Sequence, residues 1–408
     1  MVKRKFKKYN PIGKNEIRAA NKVLKSGILS SFVASKGKDF FGGKKVKEFE
    51  SKCCKFFKVK YAISVNSWSS GLTIAMGAIG LEPGDEVIVS PWTMCASASS
   101  IIHWNAIPIF ADIEKKTFCI DPKSVEKLIT KKTKAILSVD IFGQSADQKT
   151  LLNIAKKYNL KLISDTAQAP GSLFNKKFSG TLSDIGGFSL NHHKHIHTGE
   201  GGVLVTNNKK LAYKMQLLRN HAEVVMETND PKQLNNMVGH NYRMGEIEAA
   251  IGIEQLKKLK KIVKKRQKLA DLLSEGLKNL HGLKIPFIRK GNTHSYYIYP
   301  IIVSFDKLKV NRKKIVEKLK KEGILGLMPG YQNLHLLPMY QNKIAYGTKG
   351  FPWTISKRNI SYKKGICPIA ENLHDHNFLG IQMCLFDYSE KDINFIIKAF
   401  KKVWKKIS

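Results

Sequence analysis

The sequence predicts an α/β protein, with a largely parallel, helix-covered sheet in its first half and a smaller α+β domain after it. Two observations lead there. Between Tyr61 and Asn207 short apolar runs alternate with helix-like stretches, the pattern of strand–helix–strand crossovers that bury a sheet on both faces. From Glu246 to about Leu280 the period becomes that of one long amphipathic helix, with Ile247, Ile251, Leu256 and Leu259 among its apolar positions.

In chain order, strands are expected at Tyr61–Val65, Glu86–Ser90, Ile107–Phe110, Ala135–Val139, Lys161–Ser164, Ile185–Leu190 and Gly202–Val205. Helices are expected near Ser70–Ile79, Thr93–Trp104 and Leu151–Tyr158, and Pro83-Gly84-Asp85 reads as the turn before the second strand. Further on, Tyr296–Val303 reads as a strand, Asn311 as the N-cap of a helix running to about Glu322, and Ser389–Lys406 as a closing helix.

A chain of 408 residues with 43% apolar content can fill more than one core. No stretch approaches the roughly 20 apolar residues of a membrane span. The basic start, Met1-Val2-Lys3-Arg4-Lys5, has no apolar segment after it, so neither a signal peptide nor a membrane partner is expected. Six cysteines without CxxC spacing point to reduced thiols and a cytoplasmic protein. The formal charge of +38 raises the question of nucleic acid, but the lysines are scattered over the whole chain and crowd helix faces. No nucleic-acid partner is expected; the positive field favours small anionic substrates instead.

Chemistry concentrates around Gly187-Phe188-Ser189-Leu190-Asn191-His192-His193-Lys194-His195-Ile196-His197-Thr198-Gly199-Glu200-Gly201-Gly202. A lysine on such a turn, at the carboxyl edge of an α/β sheet, is placed to reach a ligand. To act as a nucleophile it must lose its proton near neutral pH, which burial and nearby cations encourage. Alone, one lysine in so basic a chain reads as a solvated surface residue. Its company argues otherwise. Asp165 ends the strand Lys161–Ser164 and could pair with a protonated pyridine nitrogen, or simply cap a following helix. Gln168 could reach the phenolic oxygen of such a ring, and the small Ala167 would let it lie flat. Asn66-Ser67-Trp68-Ser69-Ser70-Gly71 offers hydroxyls and free N–H groups at a helix start, a phosphate site or only a Ser-rich cap. Ser189 adds a hydroxyl near the same edge. His192, His193, His195 and His197 lie too close together along the chain to converge on one ion, so no metal is expected.

Together these motifs resemble the sugar aminotransferases of the DegT/DnrJ/EryC1/StrS family, a branch of the fold-type I enzymes that use pyridoxal 5'-phosphate (PLP). The resemblance runs nearly end to end. It takes in Gly43–Glu50, Ser67–Gly71, Gly84-Asp85-Glu86-Val87-Ile88, Phe142-Gly143-Gln144, Asp165–Gln168 and Phe188–Gly202. It continues through His240-Asn241-Tyr242-Arg243-Met244, Glu246 to Gln255, and Cys367-Pro368-Ile369-Ala370-Glu371. It implies a large domain, residues 1–255, with a mostly parallel mixed sheet sandwiched by helices, and a small α+β domain, residues 256–408. Lys194 falls on the lysine that binds PLP covalently, Asp165 on the pyridine-nitrogen partner, Gln168 beside the ring oxygen, and Ser69, Ser70 and Ser189 on the phosphate cradle. Asn241 or Arg243 falls where the partner chain of a homodimer reaches the cofactor, Asn241 being preferred.

The sequence also departs from the family pattern. Met94 stands where an aromatic residue usually stacks on the cofactor, and the neighbouring Trp92 is the alternative. Asp140 stands in place of histidine, and Trp68 in place of glycine. His193 and His335 border the expected substrate site, with Arg243. The resemblance implies a transaminase that takes an amino group from an amino acid, glutamate by that resemblance, to the ketone of a nucleotide-linked keto-deoxysugar. PLP would alternate with pyridoxamine 5'-phosphate, in surface-polysaccharide or related amino-sugar biosynthesis. Sugar dehydratases on the same scaffold replace the lysine with histidine. A non-catalytic PLP-binding regulator is the other alternative.

Overall fold

A computed structural model describes residues 4–305, 308 and 310–407. The apolar runs of the first half form β1 (Tyr61–Val65), β2 (Glu86–Val89), β3 (Ile107–Phe110), β4 (Thr133–Val139) and β5 (Lys161–Asp165). A short hairpin follows, β6 (Leu173–Phe174) and β7 (Lys177–Phe178), then β8 (Ile185–Ser189) and β9 (Gly202–Thr206). Seven of these make one sheet in the order β1-β9-β8-β5-β4-β2-β3. The pairs from β3 to β8 are parallel, and β9 runs antiparallel to both β8 and β1. The sheet is therefore mixed and mostly parallel. Strands β2, β3, β8 and β9 are buried at every residue, as expected for a sheet covered on both faces.

Helices α1 (Lys14–Ser26) and α2 (Lys44–Phe57) precede the sheet. Crossover helices α3 (Trp68–Ala78), α4 (Cys95–Ile102), α5 (Pro122–Leu128) and α6 (Gln148–Lys157) connect its strands, and α7 (Lys209–Arg219) and the single turn α8 (Pro231–Leu234) follow. Helix α9 (Glu246–Leu277) then runs 32 residues without a break, and the expected division at 255/256 falls inside it. Its first half packs Ala249, Ile253 and Leu256 against Val46, Phe49 and Cys53 of α2. Its second half packs Leu269, Leu273 and Leu277 into a separate core.

That second core covers an antiparallel sheet of β10 (Leu283–Lys284), β11 (Ile298–Val303), β12 (Leu327–Pro329) and β13 (Phe378–Gln382), in the order β10-β11-β13-β12. Helices α10 (Arg312–Lys321) and α13 (Glu390–Trp404) lie on it. Asn311 caps α10 as expected, accepting the Lys314 N–H at 3.0 Å, and Ser389 caps α13. Strand β11 starts at Ile298, two residues later than expected, because Tyr296 takes a left-handed conformation, φ 53°, that a strand cannot continue. Between β12 and β13 the short α11 (Pro338–Asn342) and α12 (Pro368–Asn372) return to the large domain, where Tyr340, Trp353, Tyr362 and Cys367 join its core. Phe6, from the other end of the chain, belongs to the small core. The chain thus crosses between its two units several times.

The six cysteines are free. Among the described residues no helix is long and apolar enough to cross a membrane.

One buried ion pair ties the region before β1 to the sheet. Arg219, fully buried at the end of α7, donates to the Glu50 carboxylate and to the Ser64 carbonyl at 3.0 Å, beneath the Phe32 ring. Glu50→Ala leaves a buried guanidinium unpaired and should destabilise the fold by about 3–5 kcal/mol. Denaturant unfolding monitored by circular dichroism measures this; a change below ~1 kcal/mol would mean that water reaches Arg219.

Candidate active site

The parallel pairing of β5 with β8 sets Asp165 opposite Gly187, so the last residue of one strand lies beside the strand that leads to Lys194. Beyond β8 the chain makes a closed loop. Asn191 bridges to Gly199, Lys194 N–H donates to the Asn191 carbonyl at 2.9 Å, and Thr198 N–H returns to Leu190 at 3.0 Å. Gly201, at φ 148°, closes it; a Cβ there would sit 2.6 Å from the Thr198 hydroxyl. This loop turns Lys194 inward, leaving it 7% exposed, with its Nζ 4.5 Å from the centre of the Tyr297 ring. Burial pushes the amine down to about 8, against the Asp165 carboxylate and Cys384, which act the other way. The surface-lysine reading is excluded by that burial.

Asp165, 4% exposed, caps no helix; turns follow it. Its Oδ1 accepts from the Trp68 indole at 2.8 Å and from Ala167 N–H at 3.1 Å, and its Oδ2 from the Ser97 hydroxyl at 2.7 Å. Ala167 is half-buried. Gln168 accepts the Phe142 N–H at 2.9 Å and donates to the Tyr331 hydroxyl at 3.3 Å. Phe142 in turn accepts the Tyr297 N–H at 2.9 Å, which joins the small domain to this wall. Burial raises the Tyr331 phenol to about 12, despite the bond to Gln168, so it is a neutral hydrogen-bonding group. Burial likewise raises Asp140 to about 6, against donors from Thr166 and Ala146 and with the Asp165 charge adding to the rise.

At the start of α3 the Ser67 side chain caps the helix, accepting the Ser70 N–H at 3.1 Å, and its hydroxyl lies 2.8 Å from that of Ser70. Ser69 is exposed beside it, and Ser189 is buried at the end of β8. Hydroxyls and free N–H groups at a helix start suit a dianionic phosphate.

Two expectations are corrected. Trp92 cannot lie on a cofactor ring: it is fully buried, bonded through its indole to Asn333 at 2.8 Å and packed on Phe118, Phe142 and Phe378. His335 has no surface to offer a substrate. It is fully buried, with its Nε2 2.9 Å from the Glu371 carboxylate, and so braces the loop of Gly365 and Cys367 that Glu371 also holds. The other assignments keep access. Met94 is 57% exposed, with its sulfur accepting the Ala96 N–H at 3.1 Å as the cap of α4. His193 is exposed, 6.0 Å from the Tyr297 ring. Asn241 is exposed and accepts from the Arg243 guanidinium at 2.7 Å, near the turn that opens α3, where Asn66 N–H donates to the Tyr242 carbonyl at 2.9 Å. His195 is fully buried against the Ser295 carbonyl, and among the described residues no group of His, Cys, Asp or Glu could hold a metal ion.

The sequence reading missed Tyr297 and Tyr331. Both come from the small domain, and no local pattern marks them.

The model of the DegT/DnrJ/EryC1/StrS aminotransferase family matches residues 12–376. The chain belongs to this family. Among its relatives is a GDP-perosamine synthase of Vibrio cholerae, 34% identical over 80% of this chain and 85% of that protein. The fold is also that of an aminotransferase from Psychrobacter cryohalolentis, with a TM-score of 0.84, 26% identity and coverage of 98% and 99% of the two chains. A GDP-4-keto-6-deoxymannose-3-dehydratase crystallised with a trapped PLP-glutamate geminal diamine is a further structural relative, with a TM-score of 0.76, 26% identity and coverage of 96% and 99%.

Family membership makes this a PLP-dependent sugar aminotransferase, and the residues fit PLP: an inward amine near neutrality, a carboxylate at a strand end, and hydroxyls at a helix start. When bound, PLP supplies the electron sink that lets an amino acid lose its α-proton. Only the neutral amine attacks an aldehyde, so capture of PLP should accelerate as pH rises through about 8 and level off above it. An exposed lysine would keep accelerating toward about 10.4. Stopped-flow absorbance from pH 6 to 10 separates the two, and Lys194→Ala should abolish capture.

Proposed function

We propose that the enzyme moves the amino group of glutamate to the ketone of a nucleotide-linked keto-deoxysugar, in amino-sugar biosynthesis in the cytoplasm. The amino group is carried between the two half-reactions as pyridoxamine 5'-phosphate. The observation that carries this reading is a buried Lys194 whose amine burial brings down to about 8, under the influence of the Asp165 carboxylate. Lys194, displaced by the donor amino acid, is the base that moves the proton between substrate and cofactor carbons. Asp165 accepts from the ring nitrogen and keeps it protonated. Ser69, Ser70 and Ser189 hold the phosphate, Ala167 and Gln168 line the ring, and Met94 packs on its open side. His193 and Arg243 face the sugar nucleotide, whose charge the positive field of the chain attracts.

Transfer of the amine, and not dehydration, is favoured by the register of the loop. Lys194 points inward, whereas the flanking histidines are exposed (His193) or locked on a backbone carbonyl (His195). The relatedness to GDP-perosamine synthase supports a sugar-nucleotide acceptor. Incubation with glutamate and a panel of nucleotide-linked keto sugars, read by mass spectrometry, should show the mass change of ketone to amine. Loss of water from every sugar, with no amine gained, would establish a dehydratase. Asp165→Asn should retain PLP but slow the glutamate half-reaction by about a thousandfold, the equivalent of ~4 kcal/mol.

The working unit we propose is a homodimer, with Asn241 reaching the partner's phosphate site. Leu29, Val33, Val224 and Val238 are 47%, 45%, 58% and 69% exposed around the Asn241 loop, an apolar surround suited to a subunit contact. Mixing Lys194→Ala with an inactive Asn241 variant should restore partial activity, since some mixed dimers carry one intact site. No recovery under demonstrated subunit exchange would mean that each site belongs to one chain.

A further inference from the structure

Trp68 is the first residue of α3, the helix whose start carries Ser69 and Ser70, yet its side chain serves the opposite end of the site. It is 6% exposed, and an indole N–H is a donor only, so burial obliges it to find an acceptor. The acceptor is Asp165 Oδ1, at 2.8 Å. The ring is held by shape as well. A Cβ on Gly187 would lie 2.2 Å from the indole, and one on Gly71 2.8 Å from it. Gly202 passes so close that its Cβ would lie 2.8 Å from the Trp68 backbone nitrogen. Gly187 and Gly71 leave the slot that the indole fills, and Gly202 lets the backbone of Trp68 approach β9.

The carboxylate is held from three elements: α3 through Trp68, α4 through Ser97, and the turn after β5 through Ala167. The Ser97 hydroxyl donates to Asp165 and lies 2.7 Å from that of Thr93, from which it accepts. We propose that Trp68 is a positioning residue that fixes the plane of the Asp165 carboxylate toward the cofactor's ring nitrogen and sets its distance from the phosphate cradle. This rests on the reading of Asp165 as the ring-nitrogen partner. Trp68 touches neither substrate nor reacting atoms; it acts through Asp165.

Trp68→Phe keeps an aromatic ring in the slot and removes only the donor. With the PLP-loaded protein, the single-turnover rate with glutamate should fall about tenfold or more, the scale of one hydrogen bond to a charged group. The KM for glutamate should stay within about threefold, since no substrate contact is lost. The pH titration of the visible absorption band should shift in the variant, because the ring nitrogen's partner is misplaced; loss of packing alone would not move it. Ser97→Ala should shift the same band.

A second measurement needs only the folded wild type. With 15N-tryptophan, one of the five indole signals should move when PLP is added, and that signal should be the one absent from Trp68→Phe or, should that variant not fold, the one left after assigning Trp92, Trp104, Trp353 and Trp404. A loaded and active wild type matched by Trp68→Phe in rate and absorption overturns this proposal alone. So does a Trp68 signal indifferent to PLP. A wild type that takes up no PLP overturns the proposed function and this inference with it.

Discussion

The site depends on keeping an amine out of water. A lysine loses several kcal/mol of solvation when buried, and the protein answers by letting the group approach neutrality, not by pairing it closely. Three features make that burial possible: the closed glycine-rich loop after β8, the Tyr297 ring beneath Nζ, and the parallel pairing of β5 with β8. Asp165, at the end of its strand, is near enough to moderate the fall. A parallel sheet suits this arrangement because the carboxyl ends of adjacent strands, and the loops that leave them, gather on one edge.

The second domain is part of that edge. Tyr297 precedes β11 and Tyr331 follows β12, yet both stand on the large-domain site, joined to it through Phe142 and Gln168. Helix α9 carries both cores on one rod, and Phe6 and Tyr362 each pack in the unit that their sequence position would not suggest. The position of the small unit therefore bears on Lys194 directly, through the Tyr297 ring against its Nζ. The excess of 70 basic over 32 acidic side chains is spread over the surface and acts on this cleft as a general field, suited to phosphate-bearing substrates of any kind.

Much of the fold was legible because the signals are local. A strand buried on both faces must be a short apolar run between turn residues, and seven such runs became strands with ends shifted by no more than two residues. Lys194, Asp165 and the Ser67–Ser70 cap were legible for a related reason: each sits where a strand stops, and stopping is written in glycine, serine and aspartate. Tertiary structure decided what those residues meet. Whether Trp92 or His335 could touch a ligand depended on burial, which is a property of elements more than 200 residues apart for Trp92 and its partner Asn333. The indole of Trp68 finds Asp165 across 97 positions, and Gln168 finds Tyr331 across 163, so no pattern in the sequence could reveal either bond. Residue order alone determined the strands, their turns and the place of Lys194 in the loop beyond β8, because backbone geometry and turn chemistry are set by neighbours along the chain. The lowered basicity of that lysine and the orientation of the Asp165 carboxylate were decided only by packing, because desolvation and hydrogen bonding act through space.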